Sequence, residues 1–163
     1  MSIYKEIQDS MQQALKVGKK AEVRTLRTLM AKVKEKAIAK GGELTRAEEL
    51  KVLQAAARHR QEAIDLYAKG GRQELVEAET EELAIIESYL PEPLSREDLV
   101  ALIDTTIRQT GAASLKDMGK VMSGIMRQVA GRADGREIQA LVRGRLENLD
   151  HPLPPEPEAE SKE

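Results

Sequence analysis

Residues Ser114–Leu146, SLKDMGKVMSGIMRQVAGRADGREIQALVRGRL, carry two opposed faces on one predicted helix and then a glycine-marked turn into a second. At the α-helical repeat Met118, Val121, Met122, Ile125, Met126 and Val129 gather on one side, the side a helix turns toward a core. Lys116, Lys120, Ser123 and Arg127 recur at i, i+4, i+7 and i+11 on the other side, giving a basic stripe. Gly131 stands where a left-handed residue would end this helix. Asp134, three residues before Glu137, stands where an N-cap would open the next. Such a stripe alone suits solvent as well as it suits phosphate. The adjoining turn favours phosphate, because it brings Arg132 and Arg136 to a helix start whose free N–H groups and dipole attract anions. Asp134 sets a limit: a carboxylate that caps those N–H groups takes the place of the anion and leaves the arginine side chains as the contacts.

The helical period runs through the rest of the chain, and no strand alternation interrupts it. Ser2 is placed to cap a first helix that turns Ile3, Ile7, Met11, Ala14 and Leu15 inward and ends at Gly18. A second, from about Ala21 to Gly41-Gly42, buries Val23, Leu26, Met30, Val33 and Ala37, while Lys20, Arg24, Arg27 and Lys34 form a second basic stripe outside. Thr45 and Glu48 read as a capping box for a third helix with Leu50, Leu53, Ala57, Ile64 and Tyr67, stopping at Gly70-Gly71. The fourth carries Leu75, Leu83, Ile86 and Leu90 inward and is acid-rich outside. Pro91-Glu92-Pro93 cannot extend a helix and marks a domain boundary. Ser95 caps a fifth helix with Leu99, Leu102, Ile103 and Ile107 inward, and the seventh turns Ile138, Leu141, Val142 and Leu149 inward. The expected fold class is all-α: an N-terminal four-helix domain over residues 1–90, a small C-terminal three-helix domain over 94–149, and a disordered acidic tail over 150–163.

Among the 163 residues there is no cysteine, which excludes disulfides, thiolate metal sites and cysteine nucleophiles and fits a reducing compartment. No apolar run approaches the ~20 residues a membrane span needs, and the opening MSIYKEIQDS lacks the pattern of a signal peptide. A cytoplasmic protein without a membrane partner is expected. Phenylalanine and tryptophan are absent, so the core must be aliphatic and methionine-filled, and base stacking on an aromatic platform is nearly ruled out. The net charge of −2 is unevenly spread: residues 1–42 carry +6, 43–90 carry −5, 115–149 carry +3 and 150–163 carry −4. Overall acidity opposes indiscriminate coating of nucleic acid, yet the two basic segments can each build a local positive field.

Chemistry-bearing patterns are scarce. His59 and His151 are the only histidines, with no ligands at metal spacing, and no metal or cofactor is expected. Neither GxxxxGK[ST] nor GxGxxG occurs. The serines and threonines stand at caps and helix surfaces without a base partner, and the paired carboxylates Glu48-Glu49 and Glu81-Glu82 read as solvated surface. The Met118, Met122, Met126 stripe would also suit an adaptable groove for a partner helix, but beside Val121 and Ile125 it reads as core. No catalytic residue is assigned.

Lys116-Asp117-Met118-Gly119-Lys120-Val121-Met122 and Gly131-Arg132-Ala133-Asp134-Gly135, at this separation, resemble the YqeY family. The small C-terminal domain of that family is shared with the tail of the B subunit of glutamine-dependent aspartyl/glutamyl-tRNA amidotransferase. Leu26-Arg27, Val52-Leu53-Gln54, Arg60-Gln61-Glu62-Ala63-Ile64, Gly71-Arg72 and Tyr89-Leu90-Pro91-Glu92 extend the resemblance over residues 1–149. It implies an all-helical two-domain protein and, for the amidotransferase tail, contact with the outer corner of tRNA. It also brings the label carbon–nitrogen ligase with glutamine as amido-N-donor. In the amidotransferase, activation and ammonia production belong to other domains and another subunit, and no counterpart of those sites is found in this sequence. The family pattern has glycine at Ser123, proline at Arg127 and lysines at Gln128 and Ala130, so phosphate contacts do not carry over to Gln128 and Ala130.

The expected function is a non-catalytic RNA-binding module, with tRNA engaged at its outer corner by backbone and shape. Lys116, Lys120, Arg127, Arg132 and Arg136 are the expected phosphate contacts, and Lys20, Arg24, Arg27 and Lys34 a secondary set. One alternative is an accessory factor of tRNA-dependent amidation, with an amidotransferase or an aminoacyl-tRNA synthetase as partner. The other is a helical protein–protein adaptor. A monomer is expected.

Overall fold

A computed structural model describes residues 1–150, which form seven α-helices and no strand. They are α1 (Ile3–Lys16), α2 (Lys20–Lys40), α3 (Arg46–Lys69), α4 (Gln73–Glu87), α5 (Arg96–Thr110), α6 (Met118–Val129) and α7 (Gly135–Asp150), with a single 3-10 turn at Leu115–Asp117. Two compact units divide the described residues, Met1–Pro93 and those from Leu94 to Asp150, each with a core of its own. Beyond Asp150, the tail expected from the composition lies outside the described residues.

In the first unit α1 packs chiefly on α2 and α3 on α4. Ile3, Ile7, Leu26, Leu29, Leu53 and Ile86 are enclosed at its centre. Leu15, expected inward, is 52% exposed, because Ala14 continues the inward ladder and the next residue turns away. Leu90 lies beyond the end of α4 but still packs against this core.

The helix ends of this unit show which sequence signals act locally and which do not. At Thr45 the capping box forms as read: Glu48 N–H donates to Thr45 Oγ1 at 3.3 Å, and Thr45 N–H donates to Glu48 Oε2 at 2.7 Å. Lys40 Nζ reaches the same carboxylate at 2.7 Å. That ammonium, with the Thr45 N–H, lowers the Glu48 pKa to about 2.

At Ser2 the signal misleads, since the side chain makes no capping bond to α1. Instead Glu49, 3% exposed, reaches across from α3. Its carboxylate accepts from Ser2 Oγ at 2.5 Å, from Ile3 N–H at 2.8 Å and from Tyr4 N–H at 3.4 Å. The cap of α1 is therefore borrowed from another helix, and the reading of Glu48-Glu49 as solvated surface is wrong for its second member.

The acid-rich outer side of α4 is likewise partly engaged. Arg60 Nη1 meets Glu79 at 3.0 Å and Arg60 Nη2 meets Glu82 at 2.9 Å, while Arg24 reaches the other oxygen of Glu82 at 3.3 Å. Glu82, read as solvated, ties α2, α3 and α4 together.

In the second unit Leu99 and Ile103 of α5, Val121, Ile125 and Val129 of α6, and Ile138, Val142 and Leu146 of α7 close the core. Leu149 was expected inward but is 49% exposed. Leu146 takes the inner place because it continues Ile138 and Val142 at i, i+4 and i+8. Met126 is 37% exposed, at the margin of the apolar face of α6 and not within it. Where α5 and α6 cross, Gly124 lets the backbones approach: a Cβ there would stand 3.1 Å from Thr106 Cγ2. Gln128 bridges the same crossing, its Nε2 donating to Thr106 Oγ1 at 3.4 Å and to the Gly124 carbonyl at 3.3 Å.

Candidate nucleic-acid interface

The candidate surface of the second unit begins at the 3-10 turn. Ser114 Oγ accepts from Lys116 N–H at 3.3 Å, while Asp117 Oδ2 accepts from Ala113 N–H at 2.9 Å and Ser114 N–H at 3.3 Å. Those two backbone donors, helped by the charge of Lys120, hold the Asp117 carboxyl below its ordinary range, so it stays anionic beside the lysines. Lys116 belongs to this turn and not to α6. It is exposed, but it does not share the helical frame of Lys120 that the i, i+4 spacing suggested.

Lys120, Ser123 and Arg127 do lie exposed along the side of α6 opposite Val121, Ile125 and Val129. Arg127 Nε donates to the Ser123 carbonyl at 3.3 Å, which lays the guanidinium along the helix. Among the described residues, no ion pair engages Lys120 or Arg127. At 1.5 Å of rise per residue the two cations stand about 10 Å apart along the axis.

The helix ends on two successive left-handed residues, Ala130 at φ 47° and Gly131 at φ 83°. Leu94 N–H donates to the Arg132 carbonyl at 2.8 Å and Arg132 N–H to the Val129 carbonyl at 3.0 Å, so both backbone polar groups of Arg132 are held. Arg132 and Arg136 are exposed. The helix start beside them is already occupied: Asp134 Oδ1 accepts from Arg136 N–H at 2.7 Å. A capped start offers an incoming anion little backbone, and side chains are what remain to meet it. Arg136 and Arg143 fall on one side of α7 at i and i+7, away from Arg145, whose guanidinium is paired with Asp104 at 3.1 Å.

Comparison with known families settles the kinship of this scaffold: the model described as Yqey-like protein matches residues 4–146. The chain belongs to the YqeY-like family. No curated protein matches it. This YqeY-like chain has, among its described residues, no helix long and apolar enough to cross a membrane. Nor does it have, among those residues, a group of three or more His, Asp or Glu placed to hold a metal ion.

The secondary basic set sits on α2 of the other unit. Lys20, Arg24, Arg27 and Lys34 are all exposed along one side of the helix, as their spacing required. Arg24 is spoken for by Glu82, which weakens it as a phosphate contact. His59 is exposed, its Nδ1 3.6 Å from Glu62. Sequence reasoning passed over Lys32, Lys36 and Lys51, which line one groove between α2 and α3. Their spacing across two helices, which no single-helix period reveals, is why.

Proposed function

We propose that this YqeY-like protein is a non-catalytic module for structured RNA, tRNA foremost, contacting phosphates through Lys116, Lys120, Arg127, Arg132 and Arg136. The observation that carries the reading is the exposed, unbridged pair Lys120 and Arg127 on the outward side of α6, with the arginine turn at the end of the same helix. Phosphate contacts of this kind position a ligand without reading bases, which suits recognition by backbone and shape. The want of tryptophan and phenylalanine favours folded over single-stranded RNA, since stacking platforms are what single strands require. Helices α5, α6 and α7, which share one apolar core, support the patch. In this reading the protein acts in the cytoplasm, as a monomer.

The test is a titration of the full chain with total tRNA at two salt concentrations, wild type against Lys120→Glu/Arg127→Glu. With about five phosphates neutralised, wild-type affinity should fall roughly 10²- to 10³-fold from low to moderate salt, and the variant should lose about two from the slope. Equal affinity of the two proteins, or a flat salt response, rejects the site. Adding the protein to a glutamine-dependent tRNA amidotransferase distinguishes an accessory role, in which amidation rates change, from RNA binding alone.

A further inference from the structure

The first unit carries a concave surface that differs in kind from the α2 stripe. A groove of about 550 Å³ runs between α2 and α3, and its apolar lining is Ala39, Val52, Ala55 and Ala56. Lys32 and Lys36 rise from α2, one turn apart, and Lys51 and His59 from α3. A smaller hollow of about 140 Å³, lined by Thr25, Thr28, Leu29, Arg60 and Ile86, continues it and shares Lys32, Ala56 and His59. From Thr25 to Ala39 the combined trough is about 20 Å long at 1.5 Å per residue.

Charge in this trough is poorly balanced. Among the described residues none of Lys32, Lys36 and Lys51 enters an ion pair. Of the two acids on the walls, Glu48 is committed to Lys40 and the Thr45 N–H, so its charge is compensated in place. On the walls Glu35 alone is left to oppose three ammonium groups, while His59 faces Glu62 at 3.6 Å from outside the groove. Cations that converge over an apolar, low-dielectric floor focus their field, whereas Lys20, Arg27 and Lys34 stand along a single convex helix and Arg24 is neutralised.

We propose that the phosphate of the first unit's RNA contact lies in this α2–α3 trough, on Lys32, Lys36, Lys51 and His59, and not on the α2 stripe. The inference rests on the RNA reading above and assigns a second, separate phosphate site. The trough is too long for one phosphate and matches a stretch of sugar-phosphate backbone, whose ribose edges meet the alanine floor. A docking helix would need pockets for large apolar anchors. The larger groove offers only alanines and Val52, the Leu29 and Ile86 of the smaller hollow are buried in the core, and the exposed Ile38 and Leu66 line neither.

The experiment compares four full-length proteins against total tRNA at low and moderate salt: wild type, Lys32→Glu/Lys51→Glu, Lys20→Glu/Arg27→Glu, and Lys120→Glu/Arg127→Glu. A Lys32→Gln/Lys36→Gln/Lys51→Gln variant separates lost contacts from added repulsion. The trough variants are expected to bind at least about tenfold more weakly at low salt, with a salt slope reduced by about two for the charge-reversed pair, and the stripe variant to change less than about threefold. If the trough variants bind like wild type while Lys120→Glu/Arg127→Glu is weakened, the trough is rejected and the α6 site stands. If only the trough variants weaken, the α6 site fails and the trough stands. No salt-dependent binding by the wild type rejects both. Loss of binding to an acidic helical peptide with RNA affinity unchanged would also overturn the proposal.

Discussion

Replacing Glu49 by alanine should destabilise the Met1–Pro93 unit far more than removal of an ordinary helix-surface glutamate. The carboxylate is 3% exposed and accepts from Ser2 Oγ, Ile3 N–H and Tyr4 N–H. Loss of a capping acceptor costs about 1–2 kcal/mol. Because the stranded donor is the buried Ile3 N–H, and Ser2 Oγ and Tyr4 N–H lose the same partner, the cost rises to about 3–4 kcal/mol, of which relief of the burial of a charge returns part. A net loss of about 2–3 kcal/mol is expected, or roughly 10–20 °C in the melting midpoint of a unit of this size. Glu49→Gln keeps one carbonyl acceptor but loses the charge facing the positive end of α1, so about half that loss is expected. Urea unfolding of the full chain followed by circular dichroism measures the difference. Hydrogen exchange localises it, with protection lost first at the amides of α1. A Glu49→Ala protein within about 0.5 kcal/mol of wild type would refute the cross-helix cap as a source of stability.

Ala130 is exposed and left-handed, so Ala130→Gly should stabilise the second unit by about 0.5–1 kcal/mol, visible as a raised urea midpoint; an unchanged or lowered midpoint contradicts the strain. Glu48→Gln should weaken the first unit near neutral pH. Because the folded pKa is depressed from 4.5 to about 2, the wild-type advantage is full above the unfolded value and fades as pH falls through that interval, which paired unfolding curves across acid pH will test.

The all-α class was legible because apolar residues recur at helical spacing from Ile3 to Leu146 and glycines such as Gly41 and Gly111 take the left-handed conformation that ends a helix. Local devices were read correctly where donor and acceptor are near neighbours, as with Thr45 and Glu48 or Ser95 and Asp98. What failed were features made by chain segments distant in sequence. Ser2 looks like a cap, and only the fold brings Glu49 to the same place. Glu82 looks solvated, and only the fold brings Arg24 and Arg60 to it. In the candidate site the outward placement of Lys120 and Arg127 follows from period alone. The 3-10 frame of Lys116 and the two-helix trough do not, since neither has a repeat to betray it.

Residues 1–4 are thus moored, not loose. Besides the three groups held by Glu49, the Met1 carbonyl accepts from Arg46 Nη1 at 2.7 Å, and Arg46 also meets Glu6 at 3.0 Å. Dyes or immobilising chemistry placed on Ser2 or Tyr4 will perturb the very joint that starts the first helix, and a binding measurement made on such material would report the damage along with the ligand.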